Sequence, residues 1–326
     1  MVPIRWRAVV LWALGGTVVC VAVTLLSLAR TYDELGGLVD TRPDHPAAAV
    51  ILEDMPGEHL TQPGERDGAM YYAIARDPWR LQENARYLDD PPYRYQRLLI
   101  PVLSWALHPT GGGVGLVWTM FAVGVVGVLV GAVAAGGLSV TLRGPPWMGL
   151  VFALLPGAYT SLRQTCPDAI ALGLALLAAL LSLRGRSVWA VLAMLAAVFC
   201  KESILVVAVG LALWRRDRAG LALAGVPAVV MGTWYVVVRA LLPTGFSPTE
   251  NFMAPFSGWI RAWDYWSEGA FPIGMASSLS AVVLGVVALV LRRFAHPLSY
   301  AVALSLLVSV VIRSTSSCRT PTRRGT

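Results

Sequence analysis

The residues in this chain best suited to chemistry are charges set against apolar neighbours. Lys201 and Glu202 interrupt an apolar stretch over 188–214. Ionised groups at membrane depth are expensive and often mark a site or pathway. Lys201 suits a phosphate, oriented by Glu202; a mutual ion pair or a wetted apex accounts for the same two residues. Asp168 follows Pro167 at the start of another apolar run. It suits helix capping or substrate binding, and Arg163, five residues earlier, is a candidate partner for it. Arg94 and Arg97 are spaced i, i+3, on one helix face. They suit phosphate binding, pairing with nearby acids, or snorkelling to headgroups. Asp67 opens a helical pattern, so its carboxylate can cap that helix or take a proton from an attacking hydroxyl. Asp33 and Glu34 form a rival acidic pair. Asp77, before Pro78, and Asp89-Asp90, before Pro91-Pro92, read as turn residues.

The elements that must carry these charges are apolar helices. Of 326 residues, 56 % are hydrophobic and only 14 % charged, with a mean hydropathy of +0.63. A soluble domain carries about 25 % charge, so a disordered protein, a coiled coil and an ordinary soluble enzyme are excluded. The net charge of +7 lies between apolar runs rather than along one stripe, which argues against nucleic acid as a partner. Four cysteines, with no CxxC, make no disulfide framework. The four histidines are dispersed and receive no role.

A bilayer core takes roughly 20 apolar residues per helix. Runs of that kind lie at 8–29, 114–138, 147–162, 169–183, 219–242, 273–291 and 298–312. The stretch 188–214 reads instead as a broken hairpin of two short helices, with Lys201 and Glu202 near its apex. The expected fold is an all-α polytopic membrane protein of about 8 to 9 spanning or re-entrant helices in one integral domain. The first run follows Arg5 and Arg7 and lacks a cleavage site, so it reads as a retained anchor. Counting arginines puts Arg5, Arg7, Arg143, Arg184, Arg186, Arg215, Arg216, Arg218, Arg292 and Arg293 in the cytoplasm, and so the N-terminus as well. Two long segments then fall outside: 31–97, with thirteen acidic and seven basic residues, and 243–272, where Trp259, Trp263, Tyr265 and Trp266 suit an interfacial anchor better than a ligand platform. The basic tail 313–326 would end outside, against the charge bias, which leaves two alternatives: the last run is not a span, or the chain is truncated.

Within the first outer segment, Asp67 to Arg76 reads as a helix with a stripe of Met70, Tyr71, Ile74 and Ala75. A second helix is expected up to Tyr87. A third is expected over 93–107, kinked at Pro101 and lying in the interface. Gly111-Gly112-Gly113 reads as a turn, with no preceding strand that would make it a nucleotide loop.

The runs DGAMYYAIARDPW (67–79) and YRYQRLLIPVLSWAL (93–107) resemble the first outer loop of GT-C membrane glycosyltransferases. The resemblance is greatest to the GPI mannosyltransferase II type and related bacterial envelope proteins. The matching positions are Asp67, Tyr71, Ile74 and Ala75, then Arg97, Leu98 and Pro101; Arg66 stands where the eukaryotic pattern has Trp. Asp168 and Lys201-Glu202 resemble features of bacterial members. The resemblance implies transfer of a hexose or pentose from a polyprenyl-phosphate donor to an envelope glycan, glycolipid or protein, outside the cytoplasm. It implies Asp67 as general base, with Tyr71, Arg94, Arg97, Asp168, Lys201 and Glu202 as substrate-binding residues. One displacement at the anomeric carbon would invert it. No cofactor is expected, and no metal, since no ligand cluster has the required spacing. A transporter or flippase built on a broken helix, or a non-catalytic assembly protein, are the rival expectations.

Overall fold

The computed structural model describes residues 6–31, 35–39, 41, 43–57, 60, 67–242, 282–283, 285–287, 289–290, 296 and 298–311. Every regular element among them is helical. Asp33-Glu34, the segment 243–272 with its tryptophans, most of the run 273–291 and the tail 313–326 lie outside the described residues. The chain divides into two compact units, 1–205 with 221–245, and 206–220 with 246–326.

Three helices of the first unit are long and apolar enough to cross a membrane: α1 (Trp6–Thr31), α7 (Val114–Thr141) and α13 (Arg218–Leu241), the last extending three residues into the second unit. The few polar side chains in α1 are neutralised locally. Thr17 and Thr24 donate to the carbonyls of Ala13 and Cys20, each at 2.8 Å, which leaves no bare hydroxyl in an apolar setting. Two further apolar helices, α10 (Asp168–Leu183) and α11 (Ser187–Cys200), have 16 and 14 residues. At 1.5 Å per residue they are about 24 and 21 Å long, short of a bilayer core of about 30 Å.

Two expected helices are divided. The run 147–162 becomes α8 (Met148–Ala153) and α9 (Pro156–Arg163), because Pro156 has no N–H with which to continue a helix. Leu155 before it is extended, with φ −60° and ψ 139°, as the residue preceding proline prefers. The expected helix over 93–107 becomes α5 (Pro91–Arg94) and α6 (Leu99–Leu107). Pro101 sits in the first turn of α6, where its missing N–H costs nothing, so it does not kink the helix.

Helix α7 is the spine of this unit; α1, α8 and α10 pack against it, and α11 packs on α10. The α7–α10 contact is made through glycine. A Cβ on Gly173 would lie 2.8 Å from the Cα of Gly131 and 3.2 Å from the carbonyl oxygen of Gly127. Small residues let two helices approach closely where lipid gives no hydrophobic drive for association.

Helix α3 (Asp67–Arg76) differs from the one-sided stripe expected of it: Gly68 through Ala75 are all buried. Helix α2 (Pro46–Asp54), α6 and α7 surround it. Two of its polar side chains, Tyr72 and Arg76, are met by Asp54. The Tyr72 hydroxyl donates to Asp54 Oδ2 at 2.7 Å and accepts the Gly113 N–H at 2.5 Å, and Arg76 Nη2 reaches Asp54 Oδ1 at 2.8 Å. The triple glycine is a turn, as expected, with φ of +99° at Gly111 and +91° at Gly113. Helix α4 (Leu81–Ala85) follows the Asp77 turn, where Oδ1 accepts the Trp79 N–H at 3.2 Å.

In the second unit, α12 (Leu205–Arg215), whose first residue belongs to the first unit, and α14 (Ser299–Val311) are described. The turn after α12 is fastened by Asp217, which takes Arg215 at 2.7 Å and the Gly220 N–H at 2.7 Å. The Arg215 hydrogen bond, followed by that N–H, holds the Asp217 carboxyl down to about 2.

Candidate functional site

Three short elements bring the charges of the first unit together. Asp67 is the first residue of α3, where the exposed N–H groups of a helix favour an acid. Pro91 and Pro92 start α5, because proline is preorganised for a first helical turn. That single turn carries Asp89 and Arg94 round to face one another. The apolar helix α11 stops at Cys200; Lys201 is extended, and Glu202–Ile204 makes a 3-10 turn before α12.

The two arginines are the hubs. Arg94 donates from Nε and Nη2 to the two oxygens of Asp89, at 2.8 and 2.7 Å, and from Nη1 to Asp67 Oδ1 at 2.8 Å. Arg97 donates from Nε and Nη2 to the two oxygens of Glu202, at 2.9 and 2.8 Å. It also meets the hydroxyls of Tyr71, at 3.4 Å, and Tyr93. Its Nη1 lies 3.8 Å from Asp67 Oδ2. The Tyr93 ring lies under both guanidinium groups, 4.3 Å from Arg97 and 5.3 Å from Arg94. Both arginine side chains are less than a tenth exposed, whereas Asp67 is 34 % exposed. The result is a continuous chain of charges, Asp89–Arg94–Asp67–Arg97–Glu202.

Alongside it, Lys201 pairs with Asp168. Asp168 is the first residue of α10. Cys166, two residues before Asp168, feels charges from both groups. Burial pushes its thiol up, and the charges of Asp67 and Asp168 add to that, against the pull of Lys201 and Arg94. Lys201 and Glu202 therefore do not pair chiefly with each other: each is drawn to a different element of the first unit. Arg163 donates to the Gly37 carbonyl.

Electrostatics follow from these contacts. Burial alone would raise Glu202, but the Arg97 hydrogen bond and charge outweigh it and hold the carboxyl below its usual range. Partial burial pushes Asp89 up in the same way, and the Arg94 hydrogen bond and charge bring it down below its usual range. Burial pushes the Tyr71 hydroxyl well up, with Asp67 adding to the effect against the two arginines. Tyr71 thus stays a neutral hydrogen-bonding group, not a proton donor by ionisation.

All seven residues singled out in the sequence (Asp67, Tyr71, Arg94, Arg97, Asp168, Lys201 and Glu202) fall into this one neighbourhood. Asp89 and Tyr93 belong to it as well. Asp89 reads in the sequence as a turn residue, and so it is: its Oδ1 accepts the Asp90 N–H at 2.7 Å. Its spacing of five from Arg94 across a proline-initiated turn was the available signal for the second role. Among the described residues, no group of three or more His, Cys, Asp or Glu side chains is placed to hold a metal ion. Comparison with protein-family models, curated proteins and solved structures found no match to the chain.

Chemically, Asp67 is the distinctive group. One oxygen is fixed by Arg94 at 2.8 Å, while the other stands 3.8 Å from Arg97, beyond hydrogen-bond range. A partly exposed carboxylate, oriented through one oxygen and open at the other, is arranged to accept a proton. The forks of both arginines are already filled by carboxylates.

Proposed function

We propose that this chain is a membrane glycosyltransferase of GT-C type, transferring a hexose or pentose from a polyprenyl-phosphate donor to an envelope glycan, glycolipid or protein. Asp67 is the general base, taking the acceptor hydroxyl's proton through Oδ2 as the oxygen attacks the anomeric carbon and the lipid phosphate departs. Arg94 and Arg97 hold that carboxylate, and Tyr71 fills the floor beside it. Lys201, one-third exposed and on a half-exposed partner, is a cation that incoming phosphate can draw away from Asp168. The observation that carries the reading is the posture of Asp67, held by one oxygen between two buried arginines at the ends of apolar helices.

The topology belongs to the same proposal: 8 to 9 spanning or re-entrant segments, with the N-terminus in the cytoplasm and the site outside it. Its support is that Arg97–Glu202 and Lys201–Asp168 join residues that arginine counting assigns to one side. The opposite end of the unit, with Arg7, Arg143, Arg184 and Arg186, has no acid in its turns 142–147 and 184–186.

The test is sugar transfer by the full chain in detergent from radiolabelled polyprenyl-phosphate sugars. Asp67→Asn should abolish transfer while the protein still elutes as a folded species. Full activity of that variant would remove Asp67 from the mechanism. Transport in sealed vesicles, with no transfer in micelles, would favour a carrier in which the ion pairs at the Lys201 break exchange partners.

A further inference from the structure

Most cations around the site are already matched to carboxylates: Arg76 to Asp54, Arg94 to Asp89 and Asp67, Arg97 to Glu202, and Lys201 to Asp168. Arg239 is different. It lies in the last turn of α13, and among the described residues no carboxylate reaches ion-pair distance of it. Its guanidinium carbon stands 4.9 Å above the Tyr235 ring, and its Nε is buried with no hydrogen-bond partner. That end of α13 is fixed to the site. Trp234 Nε1 donates to the Tyr95 carbonyl at 2.7 Å, one residue beyond Arg94, and Val238 and Leu242 enter the same apolar core as Tyr71. Burial, the largest influence on the Asp90 carboxyl, keeps it above its usual range, and the charge of Arg239 counters part of that rise.

An arginine at this place is held by more than the helix end. Lone arginines at membrane interfaces snorkel to headgroups, and a cation near the last carbonyls of a helix is favourable. Neither effect requires a ring beneath the guanidinium or a tryptophan pinning the helix end to the backbone next to Arg94. A flat aromatic platform fixes the fork and leaves its outer edge for a ligand, and a fork fixed in this way matches two oxygens of a phosphate. The depth is that of lipid headgroups, because α13 is long enough to cross a bilayer and Arg239 is in its last turn.

We propose that Arg239, laid on Tyr235, is a binding residue for the phosphate monoester of a membrane lipid at the end of α13. The site does not depend on sugar transfer; if transfer occurs, it is a place for the polyprenyl monophosphate that transfer releases.

The test uses the full chain in detergent and follows its melting temperature during titration with dioctanoyl phosphatidic acid, inorganic phosphate or dioctanoyl phosphatidylcholine. Phosphatidic acid should raise the midpoint saturably and phosphatidylcholine should not. Arg239→Gln should weaken that response about tenfold, the scale of one lost charge-assisted hydrogen bond. Arg86→Gln should leave it intact: Arg86 also lies 4.9 Å over a tyrosine ring, but exposed at the end of a short helix. An equal, Arg239-dependent response to inorganic phosphate would make the phosphate group alone the ligand, and a response to the lipid alone would assign it to a headgroup; both support the site. If Arg239→Gln does not fold, Tyr235→Leu replaces it and should weaken the same response. Identical titrations for wild type and variant, or no response to any phosphate, overturn the proposal.

Discussion

At the scale of single residues, the site is a set of mutual dependencies. Arg97 is 6 % exposed and serves Glu202, Asp67, Tyr71 and Tyr93 together. Breaking a buried pair by removing one partner strands the other charge, at a cost of about 3–5 kcal/mol. Arg97→Met should therefore lower stability by roughly that amount, reduced because Glu202 keeps some solvent contact. Arg97→Met with Glu202→Gln should cost less than the two single changes added together, which thermal melts of the three variants in one detergent would measure. The pH dependence follows from the same contacts. Asp89 and Glu202 lie below their ordinary values in the folded protein. Their stabilisation is complete above the unfolded values, near pH 4, and is lost as pH falls through the folded ones. Asp90 lies above its ordinary value, so its effect has the opposite sign and offsets part of this. The melting temperature should fall as the medium is acidified below about pH 4, and Glu202→Gln should flatten that slope. An unchanged slope in the variant would mean that Glu202 titrates alike in the folded and unfolded chains.

At the scale of elements, what the sequence disclosed depended on how local the cause was. The break at Lys201-Glu202 was legible because two charges interrupt an apolar run, and α11 ends at Cys200 as that reading requires. The break before Pro156 was hidden by the unbroken hydropathy of Leu154 and Leu155, although proline supplied the physical cause. Helix α3 read as one-sided because Tyr72 and Arg76 look like solvent-facing residues; Asp54, on another helix, draws them inward. The identities of the site residues were readable, but not their partners, since Arg97 and Glu202 are 105 positions apart. Glycine at the α7–α10 crossing gives a prediction at this scale. Gly173→Val would press side-chain carbon into the backbone of Gly131, already 2.8 Å from an added Cβ. Overpacking of this kind costs about 1–3 kcal/mol or more, and α10 carries Asp168. Gly225→Ala in α13, where an added Cβ meets nothing within 4 Å, should be neutral or stabilise by up to about 1 kcal/mol. Melts of the two variants side by side would separate a packing requirement from the general cost of altering a helical glycine.

For the whole molecule, the decisive quantity is which end of the first unit faces the cytoplasm. Its two ends differ in charge. Acids and their partner arginines gather around Asp67, whereas Arg7, Arg143, Arg184 and Arg186 mark the other end without acids in the intervening turns. Short loops rich in arginine are retained in the cytoplasm, so the Asp67 end should face outward. Glu83 and Arg186 are exposed positions near the respective ends. With the native cysteines replaced, Glu83→Cys should react with a membrane-impermeant maleimide on intact cells. Arg186→Cys should react only after permeabilisation. The reverse pattern would invert the orientation and place Asp67 on the wrong side for an extracytoplasmic polyprenyl-phosphate donor. Labelling of both positions on intact cells would mean that no membrane separates them, and the proposed spans between them would have to be withdrawn. The agreement required is strict, because α1, α7, the α8–α9 pair and α10 must each carry the chain from one end to the other. An error in any one of them would move every later charge to the opposite face.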